Sequence, residues 1–261
     1  MTMFKHELRQ NRLSFLIWTL AIGFMLGICI FIYPEMKHEM DSMNDLFADM
    51  GSFTAAFGMD KVSFGTLIGY YAIECGNTLG LGGAFFAAIT GVAILAKEEK
   101  DHTAEFLLTH PISRMKVITQ KLMAVVAQII VLNAVVFGIV LLAMLIVGES
   151  IPWKEMVLLH SAYLLLQLEL AGICFGISAF LRRGGLGVGL GVAILMYFLN
   201  LLSNITEDAE FLKYITPFGF ADGAKIVSDM ELDIKLILIG MGFMIIGILA
   251  AYFKYTRKDI G

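Results

Sequence analysis

The chain has 261 residues, 58% of them apolar, and a mean hydropathy of +0.80. Water-soluble domains carry about 45 to 50% apolar residues, so an ordinary soluble enzyme is excluded and a membrane protein is indicated. The net charge of −4 averages a basic face and an acidic one and leaves no footprint for nucleic acid, which is not expected as a partner.

In chain order, Lys5, Arg9 and Arg12 precede a full spanning run with no small-residue cleavage site. The first span is therefore expected to remain in the mature protein rather than leave as a signal peptide. Runs of about 20 mostly apolar residues, enough to cross some 30 Å of hydrocarbon, fall at 14–33, 67–96, 117–147, 157–181, 185–202 and 235–253. None shows the in-out alternation of barrel strands, and a backbone in lipid must satisfy its own polar groups, so the fold class is an all-α membrane protein with six transmembrane helices. The second and third runs are long enough that they tilt or project beyond the bilayer. With both termini on one side, that side and its loops hold 13 of the 19 Lys and Arg, and the opposite loops hold 15 of the 23 Asp and Glu. The bias places both termini and the segment 97–114 in the cytoplasm.

The outer loop 34–66 repeats Met36, Met40, Met43, Phe47 and Met50 at spacings of three and four, one face of a helix. An amphipathic helix on the outer leaflet explains this better than a copper(I) site. Cys29, Cys75 and Cys174 fall inside spans, form no CxxC pair and read as small apolar packers.

The segment KEEKDHTAEFLLTHPISR, 97–114, interrupts two apolar spans with charge. Thr103 is a good N-cap, Glu105 suits the first turn of a helix, and Pro111 stops it beyond Thr109. A short cytoplasmic helix from Ala104 to Thr109 results, and Ser113 caps the third span. Phe106, Leu107 and Leu108 either form a docking surface or fold back on the ends of the adjacent spans.

Ionisable groups deep in a span are costly. Counting 1.5 Å per residue from Leu181 places Glu169 about 18 Å deep, near the midplane, with Gln167 beside it, whereas Glu74 falls near the outer interface. Glu169, Gln167, Asn133 and Glu74 are candidates for a pathway lining or for structural polar contacts. The structural alternative sets Glu169 against Asn133, Gln128 or Asn200. GxxxG spacings at Gly76–Gly80, Gly172–Gly176, Gly185–Gly189 and Gly187–Gly191 fit close helix packing within one chain or at a dimer seam. The outer loop 203–234 precedes the last span.

The pattern E-x-x-x-x-T-x-E-x-L-L-x-x-P-[IV]-S-R, here Glu98, Thr103, Glu105, Leu107, Leu108, Pro111, Ile112, Ser113 and Arg114, resembles the permease subunits of ABC-2 type ATP-binding-cassette transporters. His102 departs from the glycine that many members carry before the threonine. FKHELRQNRLS, residues 4–14, is similar to the family's cytoplasmic elbow helix, placed over 3–12, and FKYTRKDIG to its basic tail. The resemblance implies a single transmembrane domain over 1–261. It implies that 97–114 is a coupling segment gripped by a separate cytoplasmic ATPase, with Glu98, Thr103, Glu105, Phe106, Leu107, Leu108, Pro111 and Arg114 as ATPase-coupling residues. It also implies a second permease copy or paralogue and a bacterial cytoplasmic membrane. No catalytic residue, metal or cofactor is assigned to this chain. The sequence holds no GxxxxGK[ST] loop, so ATP and magnesium are expected on the partner ATPase. Export of an amphipathic or hydrophobic substrate is the expected activity. The alternatives are an ion-gradient-driven secondary transporter and a copper-linked permease of the same family. An intramembrane protease is disfavoured, because the sequence has no HExxH and Thr103 stands where an EExxxR site needs arginine.

Overall fold

The computed structural model describes residues 2–49, 51–59, 61–100, 113–181 and 185–257. Among the described residues the chain is helical with no strand, and six helices are long and apolar enough to span a membrane. A short helix α1, Thr2–Gln10, is followed after a bend by α2, Arg12–Asp49. This helix carries the first span and runs on through Pro34, which deletes one backbone donor. A five-residue helix α3, Ser52–Ala56, follows.

The second span is built from α4, Leu67–Cys75, a π-helical stretch over Gly76–Leu81, and α5, Gly82–Lys100. Thr66 starts it by accepting a hydrogen bond from the Gly69 amide at 3.2 Å, an N-cap. The third span, α6, is Arg114–Val147, and Ser113 caps it by accepting from the Lys116 amide, as its sequence position predicts. At 1.5 Å per residue its 34 residues extend about 50 Å, more than the roughly 30 Å of hydrocarbon. Gly148 ends it in the left-handed conformation at φ 81°, where a glycine avoids the Cβ penalty.

The fourth span is α7, Trp153–Ser178, the fifth α8, Leu186–Ile205, and the sixth α10, Ile234–Arg257. Between the last two, 3-10 turns at Glu207–Tyr214 and Pro217–Phe220 and the helix α9, Gly223–Asp229, fold back onto the bundle. Phe218 and Phe220 are buried there, and Phe218 meets the Tyr197 ring edge-on at 5.4 Å.

The second and fourth spans form the centre. Their most apolar windows are 72% and 61% buried, against 22% for the fifth and sixth. Of the outer helices, α8 leans on α5 and α10 on α7, whereas α2 packs against α6, the third span. Their remaining faces show Leu16, Phe24, Leu195, Ile246 and Leu249, apolar surface that lipid accepts without penalty. Close approach depends on small residues. A methyl group at Gly176 would fall 2.7 Å from the Gly247 Cα, and one at Gly189 2.9 Å from the Ala88 carbonyl oxygen. Thus Gly172–Gly176 and Gly185–Gly189 serve packing inside the chain, while Gly187 and Gly191 have nothing within 4 Å.

Candidate functional site

Lys97 and Arg114 flank the polar interruption. Residues 101–112 lie outside the described residues, and with them Thr103, Glu105, Phe106, Leu107, Leu108, Pro111 and the helix expected over Ala104–Thr109. The backbone of Glu98 is in α5; its side chain is also outside. What is described is the frame around the segment: the end of α5, the start of α6 and, lying across both, α1.

That frame is held by charge. Glu7 on α1 is 1% exposed, and its carboxylate takes the ammonium groups of Lys97 on α5 and Lys121 on α6, the latter at 2.8 Å. Lys121 is itself fully buried and also donates to the Ile94 carbonyl at 2.9 Å, while Lys97 donates to Gln10 Oε1 at 2.9 Å. Glu7 and Gln10 are three apart and share a helix face, which is why one lysine reaches both. The Phe4 amide adds a donor to Gln120 Oε1 at 3.2 Å. Burial pushes the Glu7 carboxyl up, but the nearby ammoniums of Lys121 and Lys97 more than offset it and hold it below the ordinary carboxylate value. Two cations on one buried carboxylate cost desolvation, and removing that carboxylate takes the ion-pair partner from a fully buried lysine. Arg114 opens α6 and donates from Nη1 to the Thr256 carbonyl on α10 at 3.4 Å. So α1, α5, α6 and α10 are all tied at the basic end of the bundle.

The candidate polar groups inside the bundle separate into two sets. Gln167 is fully buried, accepts from Asn133 Nδ2 at 2.7 Å and donates to the Leu79 carbonyl at 3.1 Å. The π-helical turn at 76–81 shifts the usual i→i+4 bonding, and Gln167 supplies the Leu79 carbonyl with a donor. This three-helix strut joins the second, third and fourth spans. Glu169, two residues on, points about 200° away around the helix. It is 1% exposed, and neither carboxylate oxygen has a hydrogen-bond partner. It does not bond to Asn133, Gln128 or Asn200, the neighbours anticipated for it; it presses against Gly240 of α10, where a Cβ would not fit. Glu74 is half-buried and accepts from Cys29 Sγ at 3.9 Å. The three cysteines are free thiols.

Two residues escape the sequence reading. Glu7 is one. His160 is the other, buried in the fourth span with Nε2 2.8 Å from the Tyr71 hydroxyl and its ring edge-on to Phe137 at 4.7 Å. A lone ionisable residue within VLLHSAYLLL, 157–166, was the available signal. Near it the fully buried Tyr163 hydroxyl has no protein partner. Tyr163 backs a cavity of about 50 Å³ lined by Asn77, Asn200, Asn204 and Asp222, with Lys61 bridging to Asp222 at 3.4 Å. The side chains of Met40, Met43, Phe47 and Met50, the suggested amphipathic face, lie outside the described residues. Among the described residues no group of three or more His, Cys, Asp or Glu is placed to hold a metal ion.

Comparison with known proteins adds the following. Residues 1–260 match the family model described as ABC-2 family transporter protein. An uncharacterized protein, YhcI, of Bacillus subtilis (strain 168) is 24% identical over an alignment of 200 positions that covers 67% of this chain and 64% of that protein's length.

Proposed function

Since the chain belongs to the ABC-2 transporter family and has six membrane-spanning helices, we propose that it is the permease subunit of an ATP-driven exporter. In this reading the end bearing Lys97, Arg114 and Lys121 faces the cytoplasm of a bacterial cell. The segment 97–114 seats in a separate ATPase that binds ATP and magnesium, and α1 acts as the elbow helix. Phe106, Leu107 and Leu108 are the anchors in the ATPase cleft, with Glu98, Thr103, Glu105, Pro111 and Arg114 shaping the segment.

The observation that carries the reading is the buried Glu7, Lys97 and Lys121 cluster. It locks α1 onto the two helices that enter and leave the coupling segment. A displacement of that segment by ATPase closure therefore moves α1, α5 and α6 as one body rather than fraying the loop. Two permease copies, or this chain and a paralogue, would then expel cargo between them. The aliphatic, Met- and Phe-rich spans favour an amphipathic or hydrophobic cargo, a membrane-active peptide or a lipophilic drug.

The test is reconstitution with the cognate ATPase in proteoliposomes. ATP-dependent efflux of an amphipathic probe is expected, and Phe106→Asp with Leu107→Asp should abolish it together with chain-dependent ATP hydrolysis. Unchanged hydrolysis and efflux in that variant would remove the coupling role. The deep, unpartnered Glu169 carboxylate favours the second reading, a transporter driven by an ion gradient. Efflux that persists without ATP and collapses with the proton gradient would select it.

A further inference from the structure

At the basic end, the third, fourth and sixth spans leave a recess of about 720 Å³ lined by Met115, Phe180, Leu249, Ala250, Tyr252 and Phe253. The recess is shallow and opens widely onto the surface of the bundle. The lining is aliphatic and aromatic, and Met115, Phe180, Leu249 and Phe253 are all more than half exposed.

The rim is cationic. The Lys254 ammonium sits 6.0 Å over the Phe180 ring and the Arg257 guanidinium 3.9 Å over the Phe253 ring. Lys254, Arg257 and the neighbouring Lys116 are exposed. No Asp or Glu occurs in 113–148, 170–181 or 234–257, so the helix ends that form the recess supply the rim no carboxylate. The floor is fixed by the Thr119 and Tyr252 hydroxyls, 2.8 Å apart, which leaves Tyr252 presenting its ring to the recess.

An apolar trough that ends in cations, at the level where a spanning helix leaves hydrocarbon, matches one chemistry: acyl chains below and an anionic head group above. We propose that this recess is a specific binding site for one anionic phospholipid of the adjoining leaflet, its phosphate held by Lys254 and Arg257. The site rests on the chain being membrane-embedded and is independent of cargo and of the ATPase.

Full-length protein purified in detergent and mixed with equal phosphatidylglycerol and phosphatidylcholine of identical chains tests this by native mass spectrometry. Preferential retention of phosphatidylglycerol is expected. Lys254→Gln with Arg257→Gln should weaken it about 25-fold, roughly fivefold for each cation, while Lys254→Arg with Arg257→Lys should preserve it. Ala250→Trp, which fills the trough, should lower retention with the rim intact. Removing charge at the opposite end, Lys154→Gln with Lys235→Gln, should change nothing. Equal retention of both lipids, or undiminished phosphatidylglycerol in the glutamine pair, overturns the site. So does loss of a co-purifying protein, rather than of lipid, from the glutamine pair, since that would give the face to a protein partner.

Discussion

The basic end and the interior of the bundle bury polar groups on opposite terms. At the basic end Glu7, although 1% exposed, meets two ammoniums, and Lys121 meets both a carboxylate and a carbonyl. In the interior Glu169, Tyr163 and His160 Nδ1 are buried with no hydrogen-bond partner in the protein. A charged frame that moves as a body, as proposed, needs its charges matched, whereas the interior tolerates a few unmatched groups because tight packing of α7 on α5 and α10 encloses them.

The sharpest way to break that comparison is Glu7→Ala. It takes the carboxylate away from a fully buried Lys121 and should cost about 3–5 kcal/mol, read as a fall in thermal unfolding temperature of the detergent-solubilised protein. Glu7→Gln should be milder because it still accepts hydrogen bonds. Acid gives an independent handle. The folded Glu7 carboxyl lies below its ordinary value, so its contribution is complete above about pH 4.3 and is lost as pH falls through the folded value. The glutamine variant should lack this acid-side slope. A Glu7→Ala protein as stable as the parent would show that the frame is not held by this cluster.

The bundle was legible and the frame was not, for a physical reason. Spans are recorded in local hydropathy, and Ser113 announces its cap by standing one residue ahead of α6. The Glu7, Lys97 and Lys121 cluster joins positions some 90 and 114 apart, and nothing periodic links them. The π-helical stretch at 76–81 has no signature in GNTLGL beyond its glycines. Gln167 and Glu169 read as one polar pair, but two residues make about 200° of helix, which sends the first to Asn133 and Leu79 and the second to Gly240.

That separation makes the next two predictions opposite in sign. Gln167→Leu leaves the Leu79 carbonyl and Asn133 without their partner and should destabilise by about 1–3 kcal/mol. Glu169→Met removes two unpartnered oxygens at similar volume and should stabilise by about 1–2 kcal/mol. Chemical denaturation in mixed micelles measures both. A destabilised Glu169→Met would mean that its carboxyl has a partner, and if efflux in proteoliposomes failed with it, Glu169 would join the transport machinery.

Tyr163→Phe carries the smallest effect and the finest distinction. The hydroxyl is enclosed by Gly76 and Gly223, where a Cβ would fall 3.1 Å and 2.6 Å from it, and no protein atom bonds to it. Deleting one oxygen there, with the ring still packed against Gly80, should change stability by less than about 0.5 kcal/mol, because no protein hydrogen bond is lost. A loss above about 1 kcal/mol would give the hydroxyl an ordered water, for which the adjoining 50 Å³ cavity has room. Tyr163 would then be satisfied through solvent entering between Asn77, Asn200 and Asp222, and the contrast with the basic end would narrow to Glu169, His160 and the amide oxygens of Gln128 and Asn133.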